Sequence, residues 1–207
     1  MHPRDYVAKR QQLWAARKGI RLGSQFRHSA NEDQRRGEPV FVYELDDNLF
    51  EPLLPEVRRE YEAGDGGELS EGSNEGNMYA VHSSSALVCN VFHHLRRIGE
   101  PEKIAQAASL PSTRIESLEF EAKCSISDRF ERAPNLDVLL RFQGQSRPKL
   151  IGIESKFSEP FGWEHSGLKA KYLEQASLWE GLPNLHQLAK EISPDDTRYH
   201  YLHAARP

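Results

Sequence analysis

Pro148–Phe161 reads PKLIGIESKFSEPF, and this stretch decides how the rest of the chain is interpreted. The aliphatic run Leu150–Ile153 is typical of a buried β-strand, and it passes without a turn into Glu154, Ser155 and Lys156. Residues two apart on a strand share a face, so Glu154 and Lys156 point one way and Ser155 points the other. Charged side chains at the end of a strand built for burial are costly unless they pair or hold a metal. The sequence therefore predicts a polar site where this strand ends.

Length and composition fit one globular domain with extensions, because the chain has 207 residues, of which 38% are hydrophobic and 28% charged. The net charge of -4 gives no overall basic character, but basic side chains concentrate in residues 4–36 and acidic ones in residues 44–75. Cys89 and Cys124 both lie in apolar segments, which predicts reduced thiols and a cytoplasmic protein. We expect no membrane association, since no run has the length and apolarity of a membrane span or a signal-peptide core.

Residues 1–81 are predicted to form an N-terminal arm followed by an acidic, glycine-rich extension. Helical composition marks residues 6–20, a short strand is predicted at 40–45, and a short helix at 52–61. Residues 64–77 are rich in Gly, Ser and Glu and predict a mobile loop inserted before the core. This loop has no GKS or GKT ending, which excludes a Walker A phosphate-binding loop.

The predicted core begins at His82, with Ser83–Ser85 as the N-cap of a helix over residues 86–98. Three serines beside a histidine leave a nucleophilic site as an alternative. Capping is favoured, because no Gly-x-Ser-x-Gly elbow is present. Asn90 lies at the edge of the apolar face of this helix and is a candidate polar site residue.

Three strands are predicted next, over residues 115–126, 134–142 and 149–156. In the first, alternation predicts a buried apolar face and a charged face that carries Glu119 and Glu121. Short connections join the three strands, which predicts an antiparallel meander. A helix over 168–179, a second over 185–192 and a strand over 197–205 complete the chain.

The order αβββαβ over residues 82–205 resembles the PD-(D/E)XK nuclease superfamily, which has the restriction-endonuclease-like fold. Asp137 in a PNLD stretch and the tripeptide Glu154-Ser155-Lys156 carry this resemblance. The family's Pro-Asp pattern is not contiguous here, so only the aspartate matches. The resemblance implies an α/β (α+β) protein with a mixed central sheet flanked by helices, with residues 82–207 as the nuclease core.

The resemblance also implies the chemistry of a metal-dependent nuclease. Asp137 and Glu154 would bind Mg²⁺, with Mn²⁺ as a substitute, and the backbone carbonyl of Ser155 would complete the metal shell. Hard oxygen donors of this kind suit Mg²⁺, and a bound metal lowers the pKa of water. Lys156 would orient the attacking water and offset charge in the transition state, being a poor general base at its ordinary pKa.

Further candidates surround this set. The family usually has an additional acidic ligand, for which Glu121 is the first choice and Glu119 the second. Gln175 and Asn90 are candidates for substrate binding, although core packing is the alternative reading for the helix that carries Gln175. Arg141 and the basic arm are candidates for phosphate contacts, so we expect DNA as the substrate and leave a homodimer open.

Two other interpretations of the ESK tripeptide remain open. In the first alternative, Glu154 and Lys156 form a surface ion pair and Asp137 is a turn residue, although such pairs usually lie on solvated strands. The protein is then an interaction module or another hydrolase. The second alternative is a nuclease-like fold that binds nucleic acid without cutting it.

Overall fold

The computed structural model describes residues 3–31, 33, 35, 37–64, 67–70, 76–110, 114–125, 133–144, 149–157 and 170–191. The chain forms two compact units, Met1–Phe157 and Ser158–Pro207. This division differs from the boundary between residues 81 and 82 that we predicted from composition. Among the residues described, no helix is long and apolar enough to cross a membrane.

The first unit contains helices before and after residue 82. They are α1 (Pro3–Lys18), α2 (Pro55–Ala63), α3 (Ser84–Val88), α4 (His94–Arg97) and α5 (Glu102–Ala107). A π-helical segment, Cys89–His93, joins α3 to α4. Pro55 starts α2 with the fixed φ that suits a first helical position. The predicted serine cap is confirmed, because the Ser83 hydroxyl accepts a hydrogen bond from the Ala86 N–H at 3.2 Å.

Two small antiparallel sheets accompany these helices. Strands β1 (Leu22–Gly23) and β2 (Phe41–Val42) form the first. The second has the order β3-β4-β5 and contains β3 (Ile115–Lys123), β4 (Asn135–Phe142) and β5 (Leu150–Ile153). Antiparallel pairing of consecutive strands confirms the predicted meander. The architecture of the described chain is therefore a mixture of helices and antiparallel sheets, compatible with the α+β class.

The main core draws on both sides of residue 82. Val57, Tyr61 and Met78 are buried in one cluster with Phe120 and Val138 of the meander. Tyr61 stacks on Phe120, with ring centroids 5.7 Å apart. The segment before the predicted core is therefore part of that core, because it supplies the apolar surface that covers one face of the sheet.

A partly buried ion pair fixes helices α2 and α4 to the edge of β3. Both oxygens of Glu60 accept hydrogen bonds from the Arg96 guanidinium at 2.9 Å. The same guanidinium nitrogen bonds the Leu118 carbonyl, and one Glu60 oxygen accepts the Phe120 N–H at 2.9 Å. Because each charged group also bonds the strand backbone, the pair holds α2 against β3 at Phe120, the residue before Glu121.

Two local features differ from the sequence-based expectation. Within residues 64–77, Leu69 belongs to the main core and Gly76 is buried, so these positions are packed, whereas mobility of the segment as a whole stays a prediction. Glu121 is only 8% exposed, although alternation placed it on the charged face of its strand. Its backbone has a φ of 48°, in the left-handed region, but the pairing of β3 with β4 stays in register on both sides of it. Glu121 is buried because Gly64, at the end of α2, lies against its side chain.

The second unit is helical where the structure describes it. It contains α6 (Ala170–Leu173), a 3₁₀ turn over Ala176–Trp179, and α7 (Pro183–Glu191). Trp179 stacks on His186 and donates a hydrogen bond from its indole nitrogen to the Tyr172 carbonyl at 2.8 Å. The predicted helix over 168–179 is thus broken in two, and the predicted strand over 197–205 lies outside the described residues.

Candidate active site

Asp137 and Glu154 each lie one residue beyond the last ladder pair that joins β4 to β5. The last pair of the ladder is Val138 with Ile153, so the next residues in register are Asp137 and Glu154. The Ser155 backbone N–H donates a hydrogen bond to Asp137 Oδ2 at 2.6 Å. A short bond from a neutral donor to a charged carboxylate is stronger than one between neutral groups. It therefore anchors the tripeptide after β5 to the start of β4.

Lys156 and Glu154 point the same way, as two residues on an extended chain do. Lys156 Nζ donates to Glu154 Oε2 at 3.0 Å. Both side chains are substantially exposed, at 41% and 48%. Exposed ion pairs of this kind contribute about 0–1 kcal/mol to folding. The pair therefore gives little stability, and either partner is accessible to a ligand from solvent.

Glu121 completes a row of carboxylates across the meander. It lies between the ladder pairs Phe120–Val138 and Ala122–Leu136, which puts it opposite Asp137 on β4. The row therefore runs from Glu121 on β3 to Asp137 on β4 and on to Glu154 after β5. Antiparallel neighbours of this kind have their Cβ atoms about 4.5–5.5 Å apart.

The electrostatics of Glu121 reflect that crowding. Burial, with the charges of Glu68 and Asp137 and a smaller contribution from Glu154, raises the pKa of Glu121 to about 7. The Asn135 amide nitrogen donates to Glu121 Oε2 at 3.1 Å and acts in the opposite direction. A carboxylate so placed is poorly stabilised in its charged form, and a nearby cation would stabilise it.

The walls around Glu121 leave it little room. Gly64 ends α2 beside it, and a Cβ on that glycine would lie 3.0 Å from the Glu121 Cβ and 3.2 Å from Oε2. Burial raises the pKa of the Tyr61 hydroxyl well above its ordinary value, and it raises the pKa of the Cys89 thiol to about 12. Both groups are therefore neutral at physiological pH, and neither offsets the negative charge of the row.

The three carboxylates of the row supply oxygen ligands, which are the ligands that a hard divalent cation prefers. Carboxylate oxygens are the ligands that Mg²⁺ and Mn²⁺ take in proteins, and the raised pKa of Glu121 reflects the surplus of negative charge that such an ion would balance. Among the described residues, no three His, Cys, Asp or Glu side chains converge closely enough to hold a metal as they stand. Asp137 is turned to the Ser155 N–H and Glu154 to Lys156.

Asn90, a predicted substrate-binding residue, lies on the π-helical segment and is bonded to the backbone. Its Oδ1 accepts the Phe50 N–H at 2.5 Å, and its Nδ2 donates to the Asn48 carbonyl at 3.1 Å. These bonds join the helix to the 3₁₀ turn Leu45–Asn48 and the residues that follow it. The amide is therefore a structural link, and it lines a cavity without offering its polar atoms freely.

Arg141 is not brought to the carboxylate row. It is four residues from Asp137 along β4, about 13 Å at the rise of a strand. Its Nε donates to Glu119 Oε1 at 2.8 Å, and the Ser117 hydroxyl bonds the same oxygen at 2.8 Å. Burial opposes the charge of Glu119, but these hydrogen bonds outweigh it and lower its pKa. Glu119, the second choice as acidic ligand, is thus engaged with Arg141.

Gln175 belongs to the second unit, where its amide nitrogen donates to the Ser177 hydroxyl at 3.2 Å. The other arginines suggested as phosphate contacts, Arg129, Arg132 and Arg147, lie outside the described residues.

The sequence did not single out Glu68 or Asn135, both of which act on Glu121. Glu68 lies in the glycine-rich segment, where nothing in the spacing marks one acidic residue among several. Asn135 is the second residue of the PNLD stretch. Its position two residues before Asp137 on β4 is the one sequence feature that could have marked it as a residue near the site.

Comparison with known families gives one match. A family model described as Restriction Endonuclease associating with ARP matches residues 8–202. No curated protein and no solved structure matches the chain.

Proposed function

The chain belongs to the family described as Restriction Endonuclease associating with ARP, a restriction-endonuclease-like family, and on that premise we propose that it is a divalent-metal-dependent nuclease. The match spans most of the chain, including the carboxylate row and the tripeptide after β5. The reaction proposed is hydrolysis of phosphodiester bonds, with DNA as the substrate. The αβββαβ core, including the strand predicted over 197–205, is part of the same proposal.

The observation that carries the proposal is the row of carboxylates next to a lysine. Glu121 on β3 and Asp137 on β4 follow from one register, Glu154 comes directly after β5, and Lys156 contacts Glu154. A purely structural sheet gains nothing from three acidic groups side by side, because like charges directly opposite each other are destabilising. Acidic groups that crowd one another and shift each other's pKa values are typical of functional sites.

Each residue has a distinct role in the proposed site. Asp137 and Glu154, with the Ser155 carbonyl, would hold Mg²⁺ or Mn²⁺, and Glu121 would add a third carboxylate. When bound, the metal supplies Lewis-acid polarisation of a phosphoryl oxygen and a water of lowered pKa. The Lys156 ammonium donates hydrogen bonds only, so it orients the attacking water and offsets negative charge on the phosphate. The hydrogen bond from Ser155 to Asp137 keeps the two halves of the site in register.

A cleavage assay with one changed lysine tests the proposal. Purified protein is incubated with supercoiled plasmid and with single-stranded DNA, in Mg²⁺ or Mn²⁺ and in a chelator. Lys156→Ala should reduce the cleavage rate by about 10²–10³-fold, the usual effect of removing one transition-state donor. Lys149→Ala is the matched control, because Lys149 is an exposed lysine at the other end of the same strand. Equal rates for both variants would refute the assignment.

A second candidate function is a non-cleaving module, favoured by one specific observation. The Asp137 and Glu154 carboxylates each have an internal partner, and no three ligands converge among the described residues. Wild-type protein that binds DNA but cuts neither substrate with either metal would support this alternative.

The family description also names an association with ARP, and we propose the same association for this chain. Co-purification of the two proteins from cells that express both tests it directly. Failure to co-purify would remove the association without affecting the nuclease proposal.

A further inference from the structure

A cavity has Phe157, the residue that follows the tripeptide, in its lining. It has a volume of about 380 Å³ and is lined by α1, by the residues around the 3₁₀ turn Leu45–Asn48, by α3 and by Phe157. That volume is within the range of small-molecule sites, about 300–1,000 Å³. Phe157 is the residue directly after Lys156, so one residue of the cavity lining is the chain neighbour of the proposed catalytic lysine.

Aromatic side chains form much of this wall. Trp14, Phe50 and Phe157 all line the cavity. Trp14 is 38% exposed and Phe50 is 72% exposed. The Phe50 ring packs edge-to-face against His94, with ring centroids 5.2 Å apart, but most of its surface stays in water. Grouped exposed apolar surface of this kind marks a binding site. Their flat faces suit a flat, partly apolar ligand.

Hydrogen bonds to the backbone hold two of the lining residues, Asn48 and Asn90. The Asn48 amide nitrogen donates to the Met78 and Ala80 carbonyls at 2.8 and 2.9 Å. Asn90 in turn bonds the Phe50 N–H and the Asn48 carbonyl. Because these amides fix the backbone that carries Phe50, the ring is presented by an ordered segment. Preorganisation of this kind lowers the ordering cost of binding.

Polar residues of the lining limit the ligand further. Asp47 and Gln11 are among the residues that line the cavity with the aromatic ones. A carboxylate accepts hydrogen bonds and donates none, so it favours a ligand edge that carries N–H groups. Guanine presents an N1–H and an exocyclic amino group side by side, whereas thymine presents a single ring N–H.

We propose that this cavity receives an unstacked nucleobase of the substrate strand, next to the phosphate that is cut, and that Asp47 favours guanine there. The inference rests on the proposed nuclease function, because nucleic acid is its ligand. Stacking on Phe50 and Trp14 supplies the affinity, as aromatic platforms do in single-strand binding. Asp47 supplies the preference among bases.

The test measures binding of two fluorescent single-stranded oligonucleotides by anisotropy, in Mg²⁺. One is oligothymidine and the other carries a single central guanine. All proteins carry Lys156→Ala to suppress cleavage. The parent protein should bind the guanine-containing strand more tightly, and Phe50→Ala should weaken that binding about 5- to 150-fold, the range for loss of one base-stacking contact. Asp47→Asn should remove the guanine preference and leave oligothymidine binding in place.

Phe26→Ala is the matched control, since Phe26 is an exposed phenylalanine that does not line the cavity. Equal affinities for the Phe50 and Phe26 variants, or an unchanged guanine preference in Asp47→Asn, would overturn the inference. Loss of a protein partner by Phe50→Ala with DNA binding intact would overturn it too. Cleavage by the same variants with Lys156 restored separates the two proposals. If the protein cuts DNA and Phe50→Ala changes nothing, the base-pocket proposal is wrong and the nuclease proposal stands. If binding depends on Phe50 but no DNA is cut, the nuclease proposal is wrong and the base-pocket proposal stands.

Discussion

Replacing Glu121 by Gln should stabilise the metal-free protein at alkaline pH and have little effect at acid pH. Glu121 has a pKa of about 7 in the folded chain against an ordinary value of 4.5, mainly because of burial. The folded state therefore binds a proton more tightly than the unfolded state does. Stability linked to this proton is present below pH 4.5 and is lost as the pH rises towards 7.

The size of the effect follows from the pKa difference. At about 1.4 kcal/mol per pKa unit, the charged Glu121 costs the folded state about 3 kcal/mol above pH 7. For a chain of this size, that corresponds to a Tm change of about 6–12 °C. A Gln at this position carries no charge, and its carbonyl can still accept the hydrogen bond from Asn135.

Chemical denaturation at pH 4.5 and pH 8, in a chelator, measures the effect as the difference between variant and wild type. Glu119→Gln is the control from the same strand. Hydrogen bonds from Arg141 and Ser117 lower the pKa of Glu119 despite burial, so its charge stabilises the fold above pH 4.5. The two variants should therefore differ in sign at pH 8. A Glu121→Gln variant that is less stable than wild type at pH 8, or equally shifted at both pH values, would refute the reasoning.

Three further outcomes are expected. Millimolar Mg²⁺ should raise the Tm of the wild type at pH 8 more than that of Asp137→Asn, because a ligand that binds only the folded state stabilises it. Equal increases in Tm, measured by differential scanning fluorimetry, would contradict this. Asn48→Ala should lower the free energy of unfolding by about 1–3 kcal/mol, since the Met78 and Ala80 carbonyls lose a buried donor, and an unchanged denaturation midpoint would argue against that network. Lys156→Ala should leave the Tm within about 2–4 °C of wild type, because an exposed pair contributes about 1 kcal/mol at most, so a large loss of Tm would assign Lys156 a structural role.

The sequence was informative where one strand and its turn decide the geometry. An aliphatic run that ends in charged residues, joined by a short connection to a strand that carries Asp137, predicts that Asp137 and Glu154 follow the same ladder pair. The prediction that this run is buried is wrong, because Leu150 is 52% exposed and Ile151 and Ile153 are only half-buried. The meander and the serine cap followed from equally local patterns.

The remainder depended on contacts between distant segments. Alternation placed Glu121 in solvent, but Gly64, more than 50 residues earlier in the chain, lies against its side chain, and its burial cannot be predicted from the strand alone. Leu69 was assigned to a mobile loop because its neighbours are Gly, Ser and Glu, yet its burial depends on the core that it contacts. Asn90 was recognised as polar on an apolar face, but its partners lie about 40 residues earlier in the chain.

The most direct test of the proposed site is anomalous diffraction from crystals soaked in Mn²⁺. The account predicts one strong peak between the carboxylates of Asp137 and Glu154, within reach of Glu121, and no peak at that place in Asp137→Asn crystals. Clear density for the three side chains with no manganese among them would contradict the proposed metal centre.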